Sequence, residues 1–249
     1  MAHRYLSSLL LLFTLLSGAT ANADELRVAV ASNFAPVLER LAPLFEQVSG
    51  HLLVISPGAT GRHYTQIVNG APFDVFLAAD VERPRLLEER GLAVADSRQV
   101  YAQGALVLWS RTEQLVDGSA DVLFSDTFQR LALANPRLAP YGAAAREVLE
   151  MLDLWQALAP RVVQGENINQ TLQFVASGNA ELGFIARSQW LEIDPQRQGS
   201  YWEVPAALHA PIAQAAVLLR DSPAGRALLD FLRGTAAVEL ITAAGYTLP

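Results

Sequence analysis

The sequence predicts an exported α/β protein built on mostly parallel sheets, and three observations carry that expectation. Short apolar runs rich in β-branched residues alternate with segments of helical period, the pattern of βαβ units. Four of the strand-to-helix junctions are polar or glycine-bearing. The N-terminus has a short basic start at His3 and Arg4, an apolar run over 6–16, and Ala21-Asn22-Ala23 as an A-x-A cleavage site.

Residues 1–23 therefore read as a signal peptide, and the mature chain begins near Asp24. The first strand is expected over 26–31. After it, Pro36 suits an early helical position, and Leu38, Leu41, Phe45 and Val48 recur at helical spacing until Gly50. Pro43 falls inside that helix and is expected to kink or shorten it. A strand over 52–56, a helix over 61–69 closed by Gly70, and a strand over 75–78 follow. Further strands are expected over 105–109, 131–134, 162–163 and 182–185, with helices over 143–152 and 169–177. Ser222-Pro223 begins a helix that Gly234 ends, and a last helix over 236–244 stops at Gly245.

Composition narrows the function classes. The chain has no cysteine, which removes disulfides, thiolate metal sites and cysteine nucleophiles, and its four histidines make a zinc site a poor fit. Loss of Arg4 with the signal takes the formal charge from −7 to −8 (−7 − 1), so nucleic acid is not expected as a partner. All 18 basic residues are arginine. An anion bound by such a chain must be held by local donors against an unfavourable long-range field. The length of the mature chain suits one large domain or two smaller lobes and does not choose between them.

The four junctions are Ser32-Asn33, Gly58-Ala59-Thr60-Gly61, Pro140-Tyr141-Gly142 and Gly165-Glu166-Asn167-Ile168-Asn169. Ligands of open parallel α/β sheets bind beyond the carboxyl ends of the strands. There the free N–H groups of each helix point outward with the positive end of the helix dipole behind them. Four such ends converging make an anion cradle that needs no lysine or arginine. Each junction alone is also an ordinary N-cap, so it is the set that carries weight.

Val28-Ala29-Val30-Ala31-Ser32, Gly58-Ala59-Thr60-Gly61 with Gln66-Ile67, and Gly70-Ala71-Pro72-Phe73-Asp74-Val75-Phe76-Leu77-Ala78-Ala79-Asp80 together resemble the periplasmic molybdate-binding proteins of ABC transporters. The likeness continues through Pro140-Tyr141-Gly142, Glu166-Asn167-Ile168, Leu182-Gly183-Phe184-Ile185 and Ala244-Gly245-Tyr246, in order along the mature chain. The resemblance implies a type II periplasmic binding protein of two lobes, each a mixed, mostly parallel sheet flanked by helices, with the ligand cleft between them. It implies that the chain crosses twice, giving a first lobe of 24–104 plus 210–249 and a second of 105–209. It also implies the ligand shell: hydroxyls of Ser32 and Thr60, Asn33 beside the first, and backbone N–H groups at Tyr141 and Ile168. Molybdate or tungstate would be held through its oxygens by these residues, with no direct metal-ion ligand and no cofactor. Several members add a tyrosine where this chain has Ala186, so that donor is absent or replaced by Asn33 or Tyr141. The implied partners are the oxyanion and an ABC permease of the inner membrane, for a periplasmic monomer that is not an enzyme.

The residues also invite other readings. Arg62 and His63 adjoin the second loop and are expected to face solvent. Asp74 and Asp80 invite an acid–base pair, yet an acid repels an oxyanion, so capping or hydrogen bonding to loops is the expected role. Ser32 is not in a G-x-S-x-G elbow, which leaves a hydrolase without an assembled motif. Trp155, Trp190 and Trp202 sit among apolar neighbours and are expected to pack. The same fold serving sulfate or phosphate, and a ligand-sensing regulatory domain, remain as rivals.

Overall fold

The computed structural model describes residues 25–248, so the expected signal over 1–23 lies outside the described residues. The chain begins with β1 (Glu25–Ala31), α1 (Ala35–Ser49), β2 (Leu52–Gly58), α2 (Thr60–Val68), β3 (Val75–Ala78), α3 (Glu82–Glu89) and β4 (Gln99–Gly104). It continues with β5 (Leu106–Ser110), β6 (Leu131–Ala134), α4 (Pro140–Met151), α5 (Trp155–Leu158), β7 (Val162–Gly165), α6 (Ile168–Ala176), β8 (Leu182–Ala186), α7 (Arg187–Leu191) and β9 (Ser200–Glu203). It ends with β10 (Ile212–Leu218), α8 (Pro223–Phe231) and α9 (Thr235–Ala243).

Two five-stranded sheets result, ordered β2-β1-β3-β10-β4 and β7-β6-β8-β5-β9. They share one plan. Three parallel strands (β2, β1, β3; β7, β6, β8) are followed by one antiparallel strand (β10; β5) and then by an edge strand antiparallel to that one (β4; β9). The chain leaves the first sheet after Gly104, builds the second, and returns as β10. This is the two-lobed α/β architecture, with each sheet covered on both faces as buried parallel strands require.

Alternation along the strands makes the two faces. Val28 and Val30 of β1 pack with Leu38, Leu41 and Phe45 of α1 and with Leu228 and Ile241 of α8 and α9. Ala29 between them points the other way, to Phe76, Ile67 of α2 and Leu87 of α3. In the second sheet Leu106 and Leu108 join Ala145 and Val148 of α4, while Val107 and Trp109 face Val175 of α6. Each such fully buried large aliphatic contributes about 1.5–3 kcal/mol by leaving water.

Several expectations change. Pro43 lies within α1 and does not shorten it, because Leu41 and Phe45 on either side are buried on the sheet and hold the turn in place. Val48 is exposed, three residues past Phe45, the last buried residue of α1. The strands β4, β9 and β10 and the helix α3 were not foreseen. α4 begins at Pro140, three residues before the expected start, which puts Tyr141 inside its first turn.

Candidate functional site

The carboxyl ends of β1, β2, β6 and β7 face one another across the two sheets. There Ala31, Ser32, Asn33, Gly58, Ala59, Thr60, Ala79, Ala139, Pro140, Tyr141, Asn167 and Ile168 enclose a small cavity. All five residues singled out from the sequence, Ser32, Asn33, Thr60, Tyr141 and Ile168, are in this wall. Each is nearly sealed from solvent, at 1–4 % exposure.

Local structure leaves a donor of each without a protein partner beside the cavity. The Ser32 N–H donates to the Gly58 carbonyl at 2.9 Å, prolonging the β1–β2 ladder by one residue, while no hydrogen bond among the described residues engages its Oγ. Thr60 opens α2, and its Oγ1 accepts from the Ala79 N–H at 3.1 Å, leaving the hydroxyl proton to be donated. Tyr141 follows Pro140 in the first turn of α4, and Ile168 opens α6, so neither backbone N–H has an intrahelical partner. Asn167 caps α6 by accepting from Asn169 and Gln170 at 3.0 and 3.1 Å, which leaves the Ile168 N–H to the cavity. Asn33 takes a different place from a side-chain donor. Its carboxamide Nδ2 donates to Gln214 Oε1 and Tyr246 Oη, both at 3.0 Å, so its backbone N–H is the group left over.

No charged side chain is in the wall. Hydroxyls, first-turn amides and the positive ends of α2, α4 and α6 supply the positive potential, in a space too closed for water to screen it. The cleft is shut by direct bonds between the lobes. The Gly61 N–H donates to the Leu138 carbonyl at 2.7 Å, Arg83 Nη2 to the Arg137 carbonyl at 2.8 Å, and Arg62 pairs with Glu166 at the mouth.

His63 departs from its expected solvent-facing place. It is 4 % exposed, shares the inner face of α2 with Thr60 and Ile67, and packs edge-on to Phe73. Burial pushes its pKa below the ordinary 6.5, so it is a neutral imidazole and adds no charge toward an anion. Arg62 is exposed as expected. Asp74 accepts from the Arg27 N–H of β1, and Asp80 caps α3 by accepting from the Arg83 N–H of its first turn. Trp202 is buried, and Trp190 stacks on Tyr201 at 4.0 Å between ring centres. Ala186 ends β8 outside the cavity wall.

The sequence reading missed the polar layer behind the site: Tyr101, Gln214, Tyr246 and Ser188. Burial raises the pKa of the Tyr101, Tyr141 and Tyr246 phenols, so all three remain neutral hydrogen-bonding groups. The one available signal was Gln214, a carboxamide in the otherwise apolar run of β10.

Comparison with known proteins bears on the ligand. The family described as bacterial extracellular solute-binding protein matches residues 26–247. The molybdate-binding protein ModA of Azotobacter vinelandii is 49 % identical over 236 residues, covering 94 % of each chain. The molybdate-binding protein ModA of Rhodobacter capsulatus is 44 % identical, covering 91 % of this chain and 89 % of its own. The solved structure of the Azotobacter vinelandii periplasmic molybdate-binding protein superposes with a TM-score of 0.85 at 41 % identity, over 90 % of this chain and 99 % of that one.

Proposed function

The chain belongs to the bacterial extracellular solute-binding protein family, and from that premise we propose that it captures molybdate, and tungstate equally, in the cavity between its lobes and hands it to an ABC permease. The observation that carries this reading is a sealed cavity walled by Ser32, Asn33, Thr60, Tyr141 and Ile168 with no charged side chain. Its donors are the Ser32 and Thr60 hydroxyls and the backbone N–H groups of Asn33, Tyr141 and Ile168. The Asn33 amide takes the place of the tyrosine that Ala186 replaces. The relatives at 49 % and 44 % identity, both named for molybdate, supply the choice of anion.

Mechanistically, each lobe presents half of the shell: Ser32, Asn33 and Thr60 from one, Tyr141 and Ile168 from the other. The anion bridges them, and closure moves neutral dipoles into a dry site where they act at full strength. We place the lobes at 24–104 with 210–249 and at 105–209, and the mature protein in the periplasm as a monomer after removal of 1–23. A shell of donors also discriminates by protonation. Phosphate at neutral pH carries a proton that needs an acceptor, and the wall offers no carboxylate.

The reading is tested by calorimetry with the mature protein against molybdate, tungstate, sulfate and phosphate. Molybdate and tungstate should bind with similar affinity and sulfate far more weakly; equal or tighter sulfate or phosphate binding overturns it. A second measurement separates a neutral cradle from a basic patch. The Arg62–Glu166 pair lies at the mouth with side chains 56 % and 48 % exposed, and exposed pairs are worth about 0–1 kcal/mol. Arg62→Ala should therefore weaken molybdate by less than about fivefold. Added chloride should weaken both proteins modestly and alike. A steep salt dependence that disappears in the variant would mean that Arg62 holds the anion.

A further inference from the structure

Behind the cavity, Gln214 joins the two halves of the site. It is fully buried on β10, where the pairing with β4 shifts register between Gln214 and Ala215. Its Oε1 accepts from Asn33 Nδ2 at 3.0 Å and from the Tyr101 hydroxyl at 3.1 Å, both in its own lobe. Its Nε2 donates to the Tyr141 hydroxyl at 3.3 Å, which belongs to α4 of the other lobe. One carboxamide thus holds the side chain of the residue after Ser32 and the side chain of the residue whose amide faces the anion from the opposite sheet.

The bond lies beside the place where the chain crosses from one sheet to the other. The Tyr141 hydroxyl lies against Gly104, the last residue of β4 before the chain crosses; a Cβ there would be 2.0 Å from it. Beside it, Ser188 Oγ donates at 3.0 Å to the Tyr246 hydroxyl, which donates to the Asn33 carbonyl at 2.9 Å. Gln214 and Tyr141 are carried by different sheets, so their bond ties one lobe to the other in the closed arrangement. In a buried, low-dielectric layer such a bond is strengthened, and it favours the closed arrangement by whatever it loses when the lobes part.

We infer that Gln214 is a positioning residue for anion capture: it ties the ligand loop of one lobe to the ligand helix of the other and so slows the opening that releases the anion. The inference rests on the functional reading above for the identity of the anion, and on geometry alone for the tie. Its signature is kinetic. The anion enters the open protein, where the tie is absent, and leaves only after the tie breaks, so the off-rate carries the effect.

The experiment is stopped-flow binding of molybdate to wild type, Gln214→Met, Tyr141→Phe and the double variant, with Tyr101→Phe as a control within one lobe. Methionine keeps the volume, Asn33 Nδ2 retains Tyr246, the Tyr101 hydroxyl retains the Ala78 carbonyl at 3.4 Å, and phenylalanine leaves the Tyr141 backbone amide in place. Gln214→Met and Tyr141→Phe should each raise the off-rate about tenfold with the on-rate changed less than about threefold, and the double variant should be no worse than either alone. Tyr101→Phe should leave the off-rate within about threefold of wild type. Additive losses, or an unchanged off-rate in a folded Gln214→Met protein, overturn the inference. If wild type takes no molybdate, the functional reading falls, and the tie is read instead from amide exchange at residues 139–143 in the ligand-free protein, whose closed molecules the tie holds together. Exchange should be faster in both single variants; rates equal to wild type would refute it.

Discussion

Gly142→Ala should weaken molybdate binding by about a hundredfold or more and destabilise the protein as well. An alanine Cβ at this position would stand 2.1 Å from the carbonyl oxygen of Ala134 and 2.6 Å from its carbon. Those are backbone atoms at the end of β6, and they cannot give way: Ala134 is fully buried and in register with Gly165 of β7. The first turn of α4 must move instead. That turn carries the Tyr141 amide, and the Tyr141 hydroxyl bonded to Gln214 moves with it. Two directed hydrogen bonds are lost together, one to a charged ligand. Overpacking against rigid backbone costs about 1–3 kcal/mol or more. In a chain of this size that lowers Tm by roughly 2–4 °C per kcal/mol. Thermal melting with and without molybdate, beside calorimetry, reads both effects. A variant that melts like wild type and binds as tightly would show that α4 is not held to β6 by this close approach.

The same glycine shows what a sequence of this kind reveals and what it hides. Pro140-Tyr141-Gly142 was legible as a junction after a strand because proline and glycine punctuate the chain there. What was hidden is that the helix begins at Pro140, so that Tyr141 offers its amide to the cavity while its hydroxyl is turned away to Gln214. Local pattern also located Ser32, Thr60 and Ile168 at strand ends, since each depends only on a β-rich run followed by a capping residue. The return strand β10 was not legible. It pairs with β3 and β4, whose residues lie more than a hundred positions earlier, and no local period records that pairing. β9 escaped for another reason: Ser200-Tyr201-Trp202-Glu203 alternates buried and exposed over only four residues. His63 was misplaced because its polarity outweighed its position, three residues after Thr60 and four before Ile67 on the face that α2 turns inward. The discontinuous first lobe came from family resemblance; periodicity does not contain it.

Thr60→Val should weaken molybdate binding by roughly 10- to 150-fold, while Thr60→Ser should bind nearly as wild type. One oxygen at this position has two duties. It accepts from the buried Ala79 N–H at 3.1 Å, and its own proton is left free to be donated beside the cavity. Valine matches threonine in shape and removes both. The loss at the cavity is a hydrogen bond to a charged group, worth about 1.5–3 kcal/mol of binding. The loss at Ala79 leaves a buried donor unpaired, which costs about 1–3 kcal/mol of folding stability. The two effects are separable because the second is present without ligand. Thermal melting of ligand-free Thr60→Val should show the stability loss, and calorimetry the affinity loss on top of it. Serine restores the oxygen and its proton, so it should recover affinity even where the missing methyl leaves some stability unrecovered. A valine variant that melts lower than wild type yet binds molybdate as tightly would mean that Thr60 serves only the β3 loop, and the shell would then have to be rebuilt without it.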